Sequence, residues 1–88
     1  MLKAEGVLPG VWDLFLAMRQ HKNLGPLDMV GSSGLWIEVK TTNKRNHARG
    51  GLSVAQEVFG EEMRRQCFST AVCYTTQEIL DAIEEYLR

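Results

Sequence analysis

The sequence predicts an α/β domain with a mixed sheet and two helices, in the order strand, strand, helix, strand, helix. Three observations carry that prediction. Two apolar runs of strand length, residues 11–17 and 34–40, flank a polar stretch holding Gly25-Pro26 and Gly31-Ser32-Ser33. Ser53-x-x-Gln56 and Thr75-x-x-Glu78 have the form of capping boxes and mark two helix starts. Between those helices, Cys67 to Tyr74 is a further apolar, β-prone run. At 88 residues, 44% of them hydrophobic, the chain suits one domain spanning 1–88 with a real core. Domains this small often gain stability by oligomerising.

Residues 1–10 contain Gly6, Pro9 and Gly10 and predict a strand or coil followed by a turn. Residues 11–17 are apolar on both faces except at Asp13, which predicts a buried central strand. Residues 18–33 predict a connection or hairpin loop. In 34–40 a period of two sends Leu35, Ile37 and Val39 one way and Trp36, Glu38 and Lys40 the other. Glu38 and Lys40 are therefore expected to reach one common ligand. Residues 41–51 have little apolar content, end in Gly50-Gly51 and predict a mobile loop. The helix opened by Ser53 is expected to run to about Gln66, with Val54, Val58, Phe59 and Met63 on its buried side. The last helix places Ile79, Leu80, Ile83 and Leu87 at helical spacing.

A net charge of −1 gives no global basic signature for nucleic acid, but the charge is unevenly placed. Lys40, Lys44, Arg45 and Arg49 cluster around His47, with no acid between Glu38 and Glu57. The C-terminal stretch holds Glu78, Asp81, Glu84 and Glu85 against Arg88. Lys44, Arg45 and Arg49 are the candidate DNA-binding residues, a solvated basic loop being the alternative. No run approaches the length of a membrane span and no signal leader opens the chain, so the expectation is a cytoplasmic, soluble protein without membrane partners. Cys67 and Cys73 are expected to be buried free thiols of a reducing compartment.

Asp13, Glu38 and Lys40 are the candidate chemistry. Charged groups in sheet-forming runs are costly unless they hold one another or a metal. Mg²⁺ and Mn²⁺ take oxygen ligands, commonly one or two carboxylates plus waters and a substrate phosphate. Asp13 and Glu38 supply carboxylates, the Val39 carbonyl a further oxygen, and Lys40 a group to orient water or neutralise phosphate. Gln56, in the first turn of the next helix, can position water or a phosphate oxygen. Taken singly, each has an ordinary explanation. An Asp in an apolar run is often a strand-end or turn residue, and a Glu-x-Lys on a strand is usually a solvated face. Gln56 is accounted for as the capping partner of Ser53, and Trp12 and Trp36 as core or interface residues.

Their order is more specific. Lys3-Ala4-Glu5-Gly6-Val7, Gly10-Val11-Trp12-Asp13-Leu14-Phe15-Leu16, Gly34-Leu35-Trp36-Ile37-Glu38-Val39-Lys40 and Leu52-Ser53-Val54-Ala55-Gln56, followed by the late strand and helix, span nearly the whole chain. In that order they resemble the VRR-NUC domain (virus-type replication-repair nuclease), a branch of the PD-(D/E)XK nuclease superfamily. The resemblance implies a minimal restriction-endonuclease-like core and a Mg²⁺- or Mn²⁺-dependent DNA nuclease. Asp13, Glu38 and the Val39 carbonyl would bind metal, and Lys40 and Gln56 would be the catalytic pair. Small phage members resemble stand-alone dimers acting on branched DNA such as Holliday junctions, which implies a homodimer in a host cytoplasm. The sequence departs from the family in having Trp12 where proline usually precedes the aspartate, and in a long basic stretch after Lys40. The family's first helix, with its further acid, is expected to be missing. That leaves a minimal form, a truncated start or completion by a partner subunit as the readings. The competing functions are a catalytically weak DNA-binding or assembly module and a regulatory partner with no DNA role.

Overall fold

The alternation in Leu35–Val39 decides the architecture. This five-residue strand, β2, buries Leu35 and Ile37 almost completely on one face and carries Trp36 and Glu38 on the other. Full burial of a side chain such as Ile37 contributes about 1.5–3 kcal/mol. The computed structural model describes residues 10–20 and 31–88. Within them β2 is the middle strand of three. Strand β1 (Leu14–Leu16) lies antiparallel to it, with Leu14 opposite Ile37 and Leu16 opposite Leu35. Strand β3 (Ser69–Cys73) lies parallel, with Leu35 opposite Ser69 and Val39 opposite Cys73. Helix α1 (Val54–Arg65) makes the crossover from β2 to β3, and helix α2 (Thr76–Leu87) follows β3. The described residues thus form a small α/β fold with a mixed sheet and two helices, as the sequence predicts.

The two helices cover opposite faces. On the Leu35–Ile37 face, Cys73 and Tyr86 complete the buried core, with Leu16, Ala71, Ile79, Ala82 and Ile83 packed against it. Ile79, Ala82, Ile83 and Tyr86 form an i, i+3, i+4, i+7 stripe along α2. Tyr86 is 3% exposed, and its hydroxyl donates to the Met18 carbonyl at 2.6 Å, with the Ser32 carbonyl 3.2 Å away. On the other face α1 packs over Trp36, whose ring meets Phe59 edge-on at 5.0 Å and Phe15 at 4.5 Å.

Several expectations are corrected. Residues 11–17 do not form a buried central strand: β1 is short, is the outer of the three described strands, and leaves Leu14 and Phe15 exposed. Asp13 sits just ahead of it and is exposed. On α1, Val54 and Val58 point outward. The inward stripe is Gln56, Phe59, Gly60 and Met63, because Gly60 lets the helix close onto Trp12. On α2, Leu80 and Leu87 are exposed. Residues 41–51 carry local structure: a 3₁₀ turn at Thr42–Lys44 and a second turn at Ala48–Gly51.

Cys73 is buried, and burial together with the Glu78 charge raises its thiol pKa, but Cys67 is exposed. Cys67 ends α1 with φ 70° at the position glycine usually takes. There the Phe68 N–H donates to the Met63 carbonyl and the Cys67 N–H to that of Arg64. Strands β1 and β2 pair antiparallel, and Gly10 lies in a turn. The first nine positions and the Gly25-Pro26 turn lie outside the described residues. Among those described, no helix is long and apolar enough to cross a membrane.

Candidate active site and metal centre

The polar residues gather where β2 and β3 end, on the face that α1 covers. Carboxyl ends of parallel strands are the common ligand site of α/β sheets. Glu38 is 3% exposed. Its Oε2 accepts a hydrogen bond from Gln56 Nε2 at 2.7 Å and lies 3.4 Å from Lys40 Nζ. Its Oε1 is buried and has no partner among the described residues. An acceptor left in that state costs about 1–3 kcal/mol.

Asp13 closes the other side. Its Oδ2 accepts from the Val39 N–H at 3.0 Å, which ties the start of β1 to the end of β2. The pairing sets two carboxylates close enough to repel. Burial above all, and then the Asp13 charge, raise the Glu38 pKa above its usual 4.5. Lys40 and the Asp13 backbone N–H pull it back without prevailing.

Gln56 reaches Glu38 because of how α1 begins. Ser53 Oγ accepts from the Gln56 N–H at 3.1 Å, and Gln56 Oε1 accepts from the Ser53 N–H at 2.9 Å. The capping box is therefore complete, as predicted, and uses only the oxygen of the side-chain amide. The nitrogen remains for Glu38. Trp12, 4% exposed, donates from Nε1 to the Gln56 carbonyl at 2.9 Å. This bond docks the residue before Asp13 on the first turn of α1. Trp12 and Trp36 are packing residues, and the Trp36 indole N–H is buried without a partner among the described residues.

The basic residues differ in their surroundings. Lys44 and Arg49 are exposed, the latter donating from Nε to the Leu52 carbonyl at 3.2 Å. Arg45 is not a free cation. Its Nη2 donates to Glu78 Oε2 at 2.6 Å, and its guanidinium lies over the Tyr74 ring at 4.4 Å. The second predicted capping box is accordingly only half made. Thr75 Oγ1 accepts from the Glu78 N–H, but the Glu78 carboxylate accepts from the Tyr74 N–H at 2.8 Å. That bond first, and then Arg45, hold the Glu78 pKa below its usual value.

No family model, curated protein or solved structure matches this chain. Among the described residues no three His, Cys, Asp or Glu side chains form a metal-binding cluster. The carboxylates brought together here are Asp13 and Glu38, and the Val39 N–H donates to Asp13. Two carboxylates suit Mg²⁺ or Mn²⁺, which complete their shells with water and substrate oxygens, better than cations that need a full protein cage. The unpartnered Glu38 oxygen fits such an ion as well. Asp13, Glu38, Lys40 and Gln56 are thus joined by one chain of contacts. The sequence does not mark Trp12 as a docking group, nor Tyr74 and Glu78 as partners of the basic segment; no spacing or composition signal marks contacts made across 24 or 33 residues of chain.

Proposed function

We propose that the protein is a Mg²⁺- or Mn²⁺-dependent DNA nuclease of the PD-(D/E)XK kind that hydrolyses phosphodiester bonds in branched DNA such as four-way junctions. The observation that carries the reading is Glu38: a buried carboxylate with a raised pKa, a neighbouring acid, a lysine, and one oxygen without a partner. Such a group is unfavourable in the free protein and is relieved by a cation. A bound divalent ion supplies a water of lowered pKa and neutralises charge on the phosphate.

The chain's own residues do the rest. Asp13 and Glu38 hold the ion. Gln56 fixes Glu38 through Oε2 and leaves Oε1 free to ligate. Lys40, on the same strand face as Glu38, orients the attacking water or neutralises a phosphate oxygen. Lys44 and Arg49 extend positive charge beyond the site for the DNA backbone. A homodimer is part of the proposal. Exposed Leu14 and Phe15 on β1, the outer of the three described strands, support it, whereas Trp12 is buried and does not face a partner.

A second reading, a DNA-binding or assembly module with weak catalysis, is favoured by the set of only two carboxylates among the described residues. Incubation of single-stranded, duplex, flap and four-way DNA with Mg²⁺ or Mn²⁺ separates the two. The nuclease cuts the branched substrates in a metal-dependent way. Salt-sensitive binding without cutting establishes the binding module.

A further inference from the structure

The segment between Lys40 and Ser53 is held at both ends by the candidate site. Lys40 pairs with Glu38, and Ser53 is capped by the residue that also binds Glu38. Its middle is held by two side chains from outside the segment, Tyr74 and Glu78. The Tyr74 hydroxyl donates to the Gly50 carbonyl at 2.6 Å, and the Tyr74 ring carries the Arg45 guanidinium. Arg45 in turn reaches Glu78, whose other oxygen accepts from the Tyr74 N–H. Tyr74 thus touches both turns of the segment, one by its ring and the other by its hydroxyl. Its position follows from the sheet register: Tyr74 comes after Cys73 as Lys40 comes after Val39, the residue paired with Cys73.

The backbone there needs holding. Arg49, Gly50 and Gly51 all have positive φ, at 57°, 63° and 91°. A non-glycine residue in that region persists only when its surroundings impose it. The fit is close, since a Cβ on Gly50 would lie 2.5 Å from the Tyr74 hydroxyl oxygen. Arg45, though exposed, is meanwhile neutralised by Glu78, which leaves Lys44 and Arg49 as the segment's cations without a carboxylate partner among the described residues.

We infer that Tyr74 is a positioning residue for a phosphate-binding loop: by fastening both turns of residues 41–51 it presents Lys44 and Arg49 in a fixed arrangement beside the Asp13–Glu38 site, where they grip the substrate's phosphate backbone. Arg45 serves the clamp and not the phosphate. The inference rests on the phosphodiester reading of that site, but concerns binding and not the chemical step.

The test is binding of a fluorescein-labelled four-way DNA junction in EDTA at several NaCl concentrations, for wild type, Tyr74→Phe and Gly50→Ala. It is paired with amide hydrogen exchange over residues 41–52 and with kcat at saturating DNA in Mn²⁺. Tyr74→Phe keeps the ring under Arg45 and removes only the bond to Gly50; Gly50→Ala attacks the same contact from the loop side. Both variants are expected to exchange loop amides faster and to bind about 2- to 10-fold more weakly, the range one net hydrogen bond spans. Their salt dependence should be shallower and kcat unchanged. Wild-type affinity in both variants, a fall in kcat at unaltered affinity, or no DNA binding by the wild type each overturn the inference. Binding that behaves as expected with no cleavage in Mn²⁺ overturns the nuclease reading and upholds this one.

Discussion

One amide of Gln56 serves two masters: its oxygen caps α1 through the Ser53 N–H, and its nitrogen holds Glu38 Oε2 at 2.7 Å. The start of the helix and the candidate metal ligand are thereby one unit. Ser53→Ala removes only the cap and should cost about 1 kcal/mol of stability, with little change in Mn²⁺ affinity. Gln56→Ala should cost a similar amount in stability and also weaken Mn²⁺ binding, because Glu38 loses its anchor. Denaturant unfolding and calorimetric Mn²⁺ titration of the two variants check the separation. Equal Mn²⁺ affinities in both would disconnect Gln56 from the site.

Burial and Asp13 raise the Glu38 pKa, so the native state holds this proton more tightly than the unfolded chain. Below the usual 4.5 both states are protonated and the contribution to stability is complete. As pH rises through the elevated folded-state pKa, a buried charge must form and stability falls. Glu38→Gln cannot ionise. It should melt higher than wild type at pH 7–8 without metal, with the difference closing towards acid pH. Mn²⁺ should raise the wild-type Tm at neutral pH far more than that of the variant. A metal-free variant that melts below wild type at pH 8 would contradict the assigned strain.

Gly60 is buried, and a Cβ there would lie 2.7 Å from Trp12 Cζ2. Gly→Ala inside a helix ordinarily stabilises by about 0.5–1 kcal/mol. Here Trp12 would have to move, straining its bond to the Gln56 carbonyl and the placement of Asp13. Gly60→Ala should destabilise by about 1–3 kcal/mol, as overpacking does, and lower Mn²⁺ affinity. Chemical denaturation showing a more stable variant would refute this packing.

Cys67 occupies a left-handed position at the end of α1. The conformation costs an L-residue roughly 1–2 kcal/mol, part of which glycine gives back through its freer unfolded chain. Cys67→Gly should therefore stabilise by about 0.5–1 kcal/mol, seen as a higher denaturant midpoint at unchanged slope.

The elements that rest on local chemistry were legible in the sequence. The alternation of β2, the complete Ser53–Gln56 box and the common face of Glu38 and Lys40 are each set by neighbouring residues. What was not legible depends on contacts across the chain. The inward stripe of α1 contains Gln56 and Gly60, so hydrophobicity pointed to Val54 and Val58 instead. Strand β1 reads as a central strand because Leu14 and Phe15 are apolar, yet only β2 pairs with it among the described strands. The basic segment looked structureless because its order comes from Tyr74 and Glu78, far along the chain.

The central claim is that Asp13 and Glu38 hold a cation that cuts DNA with the help of Lys40. Its most direct measurement is the rate of four-way junction cleavage in Mn²⁺ by wild type, Asp13→Asn, Glu38→Gln and Lys40→Ala, with folding checked by circular dichroism. The account predicts metal-dependent cutting by wild type and losses of about 100-fold or more in each folded variant, the scale on which removal of one transition-state-stabilising group is felt. Cutting at the wild-type rate by Glu38→Gln, or none by wild type with any metal or branched substrate, would contradict it.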